Sequence, residues 1–338
     1  MTKTILRSPV LVLTCNRVGH FKALVESLRR CLQASETELY IAIDGPFDPS
    51  VRQANDEIIR YSESLDGFAH VQLYERGQNI GPYVNFRLAV ADIFSSHDTI
   101  IVLEDDNVVA ANFLAFMNAA LSQFNENPKC FAVCGYNLPT PKPDECCTDI
   151  YCSALVCAWG IGLFRDRYSE VGLGVKSAPD RFFLNPWNVV RMNRLSPPLF
   201  PLLVHGFMTQ QEFGDVLFSA HSLRNGMFSV YPVDTKVMNM GLDGSGIHCG
   251  KSDAYAHQGF IDAEKGEFNL EPSEPTNDYF VRSAARFYKT EFGHSWPKSL
   301  RAYVVYVLCL FLGREGTVSF KKFVKSQLRR LGRERGRN

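Results

Sequence analysis

Across the first third of the chain the same pattern recurs: a short apolar run, a polar turn, then a stretch with apolar residues every third or fourth position. The runs are VLVLT at Val10 to Thr14, LYIAI at Leu39 to Ile43, AHVQLY at Ala69 to Tyr74 and TIIVL at Thr99 to Leu103. Short, bounded by turn residues and rich in β-branched and aromatic side chains, they predict strands. Between them HFKALVESLRRCL, SVRQANDEIIRYSESL and YVNFRLAVADIF carry helical spacing and predict helices over 20–32, 50–65 and 83–94. A fifth unit follows, with helix NFLAFMNAALSQF and strand CFAVCG at Cys130 to Gly135. Strands alternating with helices imply an α/β fold: a Rossmann-like, mostly parallel sheet flanked by helices.

From about Tyr136 to Gly259 the alternation lapses and Pro and aromatic residues increase, as in segments that build pockets over a sheet. The stretch EKGEFNLEPSEPTNDY reads as an exposed linker. The expected organisation is therefore a main domain over 1–260 (a ligand-binding half to 106 and a second half over 107–260), a linker over 261–298 and a helical basic tail over 299–338.

Charge sharpens that division. The 338 residues balance 36 basic against 36 acidic groups, but nine Lys or Arg against two acidic residues lie from Arg314 onward. The body is acidic and the tail basic, which gives no footprint for nucleic acid in the body. Just before the tail, LRAYVVYVLCLFLG is apolar but falls short of the roughly 18 residues that a spanning helix needs. The apolar run and the basic end together suit an element lying on an anionic membrane surface, while the same run could equally pack as a core helix. The opening MTKTILRSPVLVLTC does not read as a secretion signal, so the expected location is the cytoplasm, peripheral at the inner face of the membrane. The ten cysteines sit mostly in apolar runs and are expected reduced; Cys146, Cys147 and Cys152 lack a second set at zinc spacing.

In an open parallel sheet, ligands occupy the crevice beyond the carboxyl ends of the strands. The residues delivered there are Asn16 and Arg17, Asp44 and Gly45, Arg76 and Asn79, and Glu104, Asp105 and Asp106. Three adjacent carboxylates repel unless a cation lies among them, and Mg2+ or Mn2+ shared with phosphate oxygens would resolve that cost; a solvated acidic turn is the plainer alternative. TCNRVGH after the first strand is no G-x-G-x-x-G and no phosphate-cradling triphosphate loop, which argues against a dinucleotide-dependent dehydrogenase and against a sugar-nucleotide nucleotidyltransferase. A non-catalytic sugar-binding protein remains a rival reading.

PVLVLTCNR, IAIDGP, RGQNIGPYVNF, VLEDDNVVAANFLAFMNAAL and AWGIGLFRDRY, in that order, resemble the bacterial sugar transferases of the GT-A fold and are similar to the N-acetylglucosaminyltransferase I group. The resemblance implies a GT-A-like glycosyltransferase in cell-surface polysaccharide synthesis. It would move a hexosyl or N-acetylhexosaminyl unit with inversion from a nucleotide-sugar donor, a UDP-sugar above all, to a glycan or lipid-linked acceptor, with manganese or magnesium. It also implies roles: Asp106 on the metal, Arg17 on the diphosphate, Asp44 at the uracil edge, and Glu104 and Asp105 on donor sugar and ribose. Asn79 lies in the family's N-x-G turn, His248 matches a position near the metal, and Trp159 matches an aromatic loop lining the sugar pocket. The general base is Asp215, seventeen residues before Pro232 as the family's spacing asks, with Glu212 as the alternative.

Overall fold

The computed structural model describes residues 7–143, 146–171, 181–241, 259–260, 263–293 and 296–335. Strands β1 (Val10–Thr14), β2 (Glu38–Ile43), β3 (His70–Glu75) and β4 (Thr99–Glu104) alternate with helices α1 (Val18–Arg29), α2 (Arg52–Glu63) and α3 (Pro82–Ile93). Then come β5 (Asn107–Val109), α4 (Phe113–Phe124), β6 (Cys130–Cys134), β7 (Ile150–Ser153), β8 (Ile161–Phe164) and the short α5 (Arg165–Ser169). Helices α6 (Pro186–Leu195), α7 (Leu199–Thr209) and α8 (Gly214–Asn225) precede β9 (Phe228–Pro232) and β10 (Val237–Asn239). Two helices close the chain, α9 (Glu274–Phe292) and α10 (Trp296–Arg335).

Eight strands form one sheet in the order β3-β2-β1-β4-β8-β6-β9-β7, and β5 pairs with β10 beside it. The first four strands are mutually parallel; β8 wedges antiparallel between β4 and β6, and β7 runs antiparallel at the far edge. This is the mostly parallel α/β sheet that the repeated strand-turn-helix pattern implies. Consecutive strand residues point to opposite faces, so the unbroken burial of Val10, Leu11 and Val12 and of Thr99 through Leu103 means that both faces are covered. α3 lies against β1 and β2, α2 against β2 and β3, and α4 against β6 and β8. The edge strand β3 instead has only exposed and half-buried positions.

The chain forms two compact units. The first comprises Met1–Val171 with His221–Ala284 and holds both sheets; the second comprises Gly172–Ala220 with Ala285–Asn338 and is helical. Two expectations need correction. The segment 261–298 is not simply a linker: α9 begins at Glu274, and it buries Phe280 and Ala284. Upstream of that helix Lys265 Nζ and Asn269 N both donate to the Asp149 carboxylate, at 2.6 and 2.7 Å, which ties the stretch to the first unit. Helix α10 also exceeds the expected apolar length: among the described residues, Pro297–Val324 is long and apolar enough to cross a membrane by length and composition. No disulfide forms among the described cysteines.

Candidate active site

The carboxyl ends of β1, β2 and β4 open side by side, and β1 ends where α1 begins. Arg17 occupies the position before the first turn of α1, where a Ser or Asp would ordinarily cap the free amides, and it makes no side-chain cap. Its guanidinium crosses to β4 instead: Nη1 donates to Asp106 Oδ2 at 2.9 Å and Nη2 to Asp105 Oδ1. The cap is given up for the site.

Both carboxylates are deeply placed, Asp105 at 4% exposure and Asp106 at 7%. Thr14 Oγ1 donates to Asp105 Oδ2 at 3.0 Å. Asp106 Oδ1 accepts from Asn107 Nδ2 at 3.0 Å and from Asn239 Nδ2 at 3.2 Å, and its backbone carbonyl accepts from Met240 N at 2.7 Å. Burial, opposed by Arg17 and reinforced by the Asp106 charge, raises the Asp105 carboxyl above its usual range. Burial alone would lower the Arg17 pKa, but the two carboxylates and their hydrogen bonds hold it above its ordinary value. One guanidinium thus faces two buried carboxylates, a local excess of negative charge in a poorly screened place. Glu104, the last residue of β4, is exposed at the same edge.

Asp44, at the end of β2, is 4% exposed. Its Oδ1 accepts from Gly45 N and Ile80 N, each at 2.9 Å, and its Oδ2 from Gly81 N at 2.9 Å and Asn79 Nδ2 at 3.1 Å. A carboxylate offers about four acceptor sites, so all are filled. Asn79 Nδ2 also reaches Gly45 O at 2.9 Å, which closes a clamp between the turn after β2 and the loop that leads into α3. The loop lies so near that a Cβ on Gly45 would fall 2.3 Å from the Gln78 carbonyl carbon. Gly81 then takes φ 83°, which favours glycine, and Pro82 opens the helix. The resemblance implied a uracil edge for Asp44; in this conformation its lone pairs serve the loop. Between the clamp and the acidic pair lies Cys15, whose thiol is pushed up to about 11 by burial and then by Asp44 and Asp105, so it stays protonated.

Trp159 precedes β8, whose first residue Ile161 pairs with Val102 of β4 and Cys134 of β6, so this position falls at the sheet edge where Glu104 ends β4. It meets the Tyr136 ring edge to face at 4.7 Å between centroids. Arg17, Asp44, Asn79, Glu104, Asp105, Asp106 and Trp159 thus share one edge of the sheet. Asp215 and Glu212 belong to the second unit; Asp215 is exposed in the first turn of α8, and its Oδ1 accepts from Val216 N at 2.9 Å. His248 lies outside the described residues.

Three participants have no counterpart in the sequence reading. Asn107 directly follows the acidic triplet, whereas Asn239, the last residue of β10, and Gly241, just after it, come more than a hundred positions later. Gly241 is required by closeness: a Cβ there would lie 2.2 Å from Asp106 Oδ2.

Among the described residues no group of three or more His, Cys, Asp or Glu gathers as metal ligands. Magnesium and manganese need only one or two protein carboxylates when phosphate and water supply the remainder. Asp106 fits that demand: its Oδ2 accepts from the long, rotatable Arg17, and a second cation would balance the excess charge of the pair.

No protein-family model matches the chain, and no curated protein matches it. Among solved structures it is similar to S. aureus TarS, at 11% identity and TM-score 0.35 over 49% of this chain and 30% of that one. For S. aureus TarS 1-349 the values are 10% and 0.37 over 66% and 60%. For the same piece in complex with UDP they are 15% and 0.31 over 41% and 38%. The chain spans less than two thirds of the length of each.

Proposed function

We propose that this chain is a glycosyltransferase that binds a nucleotide-sugar donor, a UDP-sugar above all, at the carboxyl edge of β1, β2 and β4. The observation that carries the reading is the Arg17–Asp105–Asp106 group, a half-buried cation and two buried carboxylates set in the crevice where open α/β sheets bind ligands. Arg17 offsets part of the charge of the acidic pair in the ligand-free protein. With donor bound, Arg17 would turn toward the diphosphate, and Asp106 Oδ2 would hold a magnesium or manganese ion. When bound, such an ion neutralises charge that develops on the departing nucleoside diphosphate.

The other roles belong to the same reading. Asp105, fixed by Thr14, and exposed Glu104 face ribose and donor sugar, and Trp159 offers an apolar wall to the sugar ring. Asp44 and Asn79 shape the loop that borders the nucleoside. Asp215 takes the proton from the attacking acceptor hydroxyl, with Glu212 as the alternative, and transfer inverts the anomeric centre. The acceptor is a glycan or lipid-linked sugar of a bacterial cell-surface polysaccharide. A thermal-shift screen of nucleoside diphosphates and sugar nucleotides, with and without manganese, tests the reading. UDP and UDP-sugars should raise the midpoint only with the ion; no shift from any nucleotide at millimolar concentration would refute it.

A further inference from the structure

Helix α10 carries apolar side chains on two opposite faces. Ala302, Val305, Tyr306 and Cys309, at helical spacing, are buried. They pack within the second unit: the Tyr306 ring lies 5.7 Å from that of Phe200 and 6.2 Å from that of Phe183, and Cys309 Sγ lies 3.1 Å from Met208 Sδ. Tyr303 Oη fastens the same stretch by donating to Leu184 O at 2.7 Å. These contacts account for one stripe of the helix. At about 100° per residue, Leu300, Val304 and Phe311 fall on the opposite side, and they are 62%, 50% and 76% exposed. Isolated exposed apolar residues are ordinary, but an aligned row backed by a fully packed stripe is not.

The helix then breaks at Gly313, where φ 67° and ψ 176° are open to glycine alone, and a second helical run begins. That run exposes Phe320 and Val324 with Lys321 and Lys322 between them. It leads into the basic end of the chain, where the nine Lys or Arg from Arg314 onward meet only two acidic residues.

We propose that the outer face of α10, from Leu300 through Val324, docks the protein on an anionic lipid bilayer, lying in the interface rather than crossing it. The charge excess selects the partner, because a row of apolar side chains followed by clustered cations matches acyl chains below anionic headgroups. The inner stripe sets the depth. Its packing on Phe183, Phe200 and Met208 holds that stripe against protein, and the break at Gly313 brings Arg314 and Glu315 where a spanning helix would need apolar residues. Length and composition alone would permit a span; the packing assigns a surface helix.

The test is co-sedimentation of the full chain with phosphatidylcholine vesicles, plain or carrying phosphatidylglycerol. Three proteins are compared: the parent, a Val304→Asp/Phe311→Asp double variant and a Lys321→Glu/Lys322→Glu double variant. All four positions are exposed, so the fold is retained, and unchanged near-ultraviolet dichroism confirms it. The parent should bind anionic vesicles at low salt and release them at high salt, and each double variant should bind at least about tenfold more weakly. Equal binding by the parent and the Val304→Asp/Phe311→Asp protein would overturn the proposal, as would no binding at low salt. Vesicle-bound protein that resists alkaline carbonate would overturn the surface placement in favour of a span. A lipid-free dimer abolished by the Val304→Asp/Phe311→Asp change, with vesicle binding unaffected, would assign the face to a second copy of the chain.

Discussion

Replacing Asp44 by Asn separates two roles that the sequence cannot tell apart. The carboxylate accepts four hydrogen bonds, three of them from the backbone amides of Gly45, Ile80 and Gly81. An amide keeps one oxygen and turns an NH2 group toward two donors, so two bonds are lost and the other two lose their charge. At about 1.5 kcal/mol for each bond to a charged group, the two lost bonds alone cost about 3 kcal/mol. In a unit of this size that lowers the melting midpoint by roughly 6 °C or more. Differential scanning calorimetry of Asp44→Asn, with UDP titrated well below the transition, reads both consequences. The expected result is a clear loss of stability with UDP affinity within a few-fold of the parent. An unchanged midpoint with affinity lost would show that Asp44 reads the base and that the clamp is incidental.

Gly241→Ala should weaken UDP binding by about tenfold or more, because its Cβ would sit 2.2 Å from Asp106 Oδ2 and must push the carboxylate aside; calorimetric titration checks this. Asp215→Asn should leave donor affinity within a few-fold and lower kcat by about a hundredfold, the usual worth of a positioned base, whereas an active Asp215→Asn beside an inactive Glu212→Gln would move that role. His221 packs on the Phe131 ring, and burial lowers its pKa, with Glu170 opposing and Arg224 adding. The unfolded chain therefore binds this proton at higher pH than the folded one. The contribution of the neutral ring is present above the unfolded value of about 6.5 and is lost as pH falls through it toward the folded value. Accordingly His221→Gln should flatten the decline of the melting midpoint between neutral pH and pH 5, and an identical decline in both proteins would refute the assignment.

The first half of the fold was legible because each strand there is a local apolar run closed by a turn and followed by a helix of 3.6-residue period. That local signal also marks the candidate site edge, since it fixes which residues follow each strand. β8 was not legible as a strand direction: Ile161 to Phe164 is four residues long, and only pairing with both β4 and β6 makes it antiparallel. α9 was hidden by the Pro- and Glu-rich stretch at its start, although Phe280 and Ala284 follow at helical spacing. The partners of Asp106 illustrate a different limit. Asn107 is its neighbour, but Asn239 lies 133 positions away and is brought in by β10 pairing with β5. Asp44 shows the converse, for a carboxylate after a strand announces an acceptor without saying which donors fill it.

The measurement that bears most directly on the central claim is calorimetric titration of UDP into the full chain with and without manganese, run in parallel on Asp106→Asn. If the strand edge holds a metal-bridged diphosphate, the parent binds UDP tightly only with the ion, and the Asn variant loses that manganese-dependent gain. Equal UDP affinity in both proteins, with and without manganese, would contradict the account.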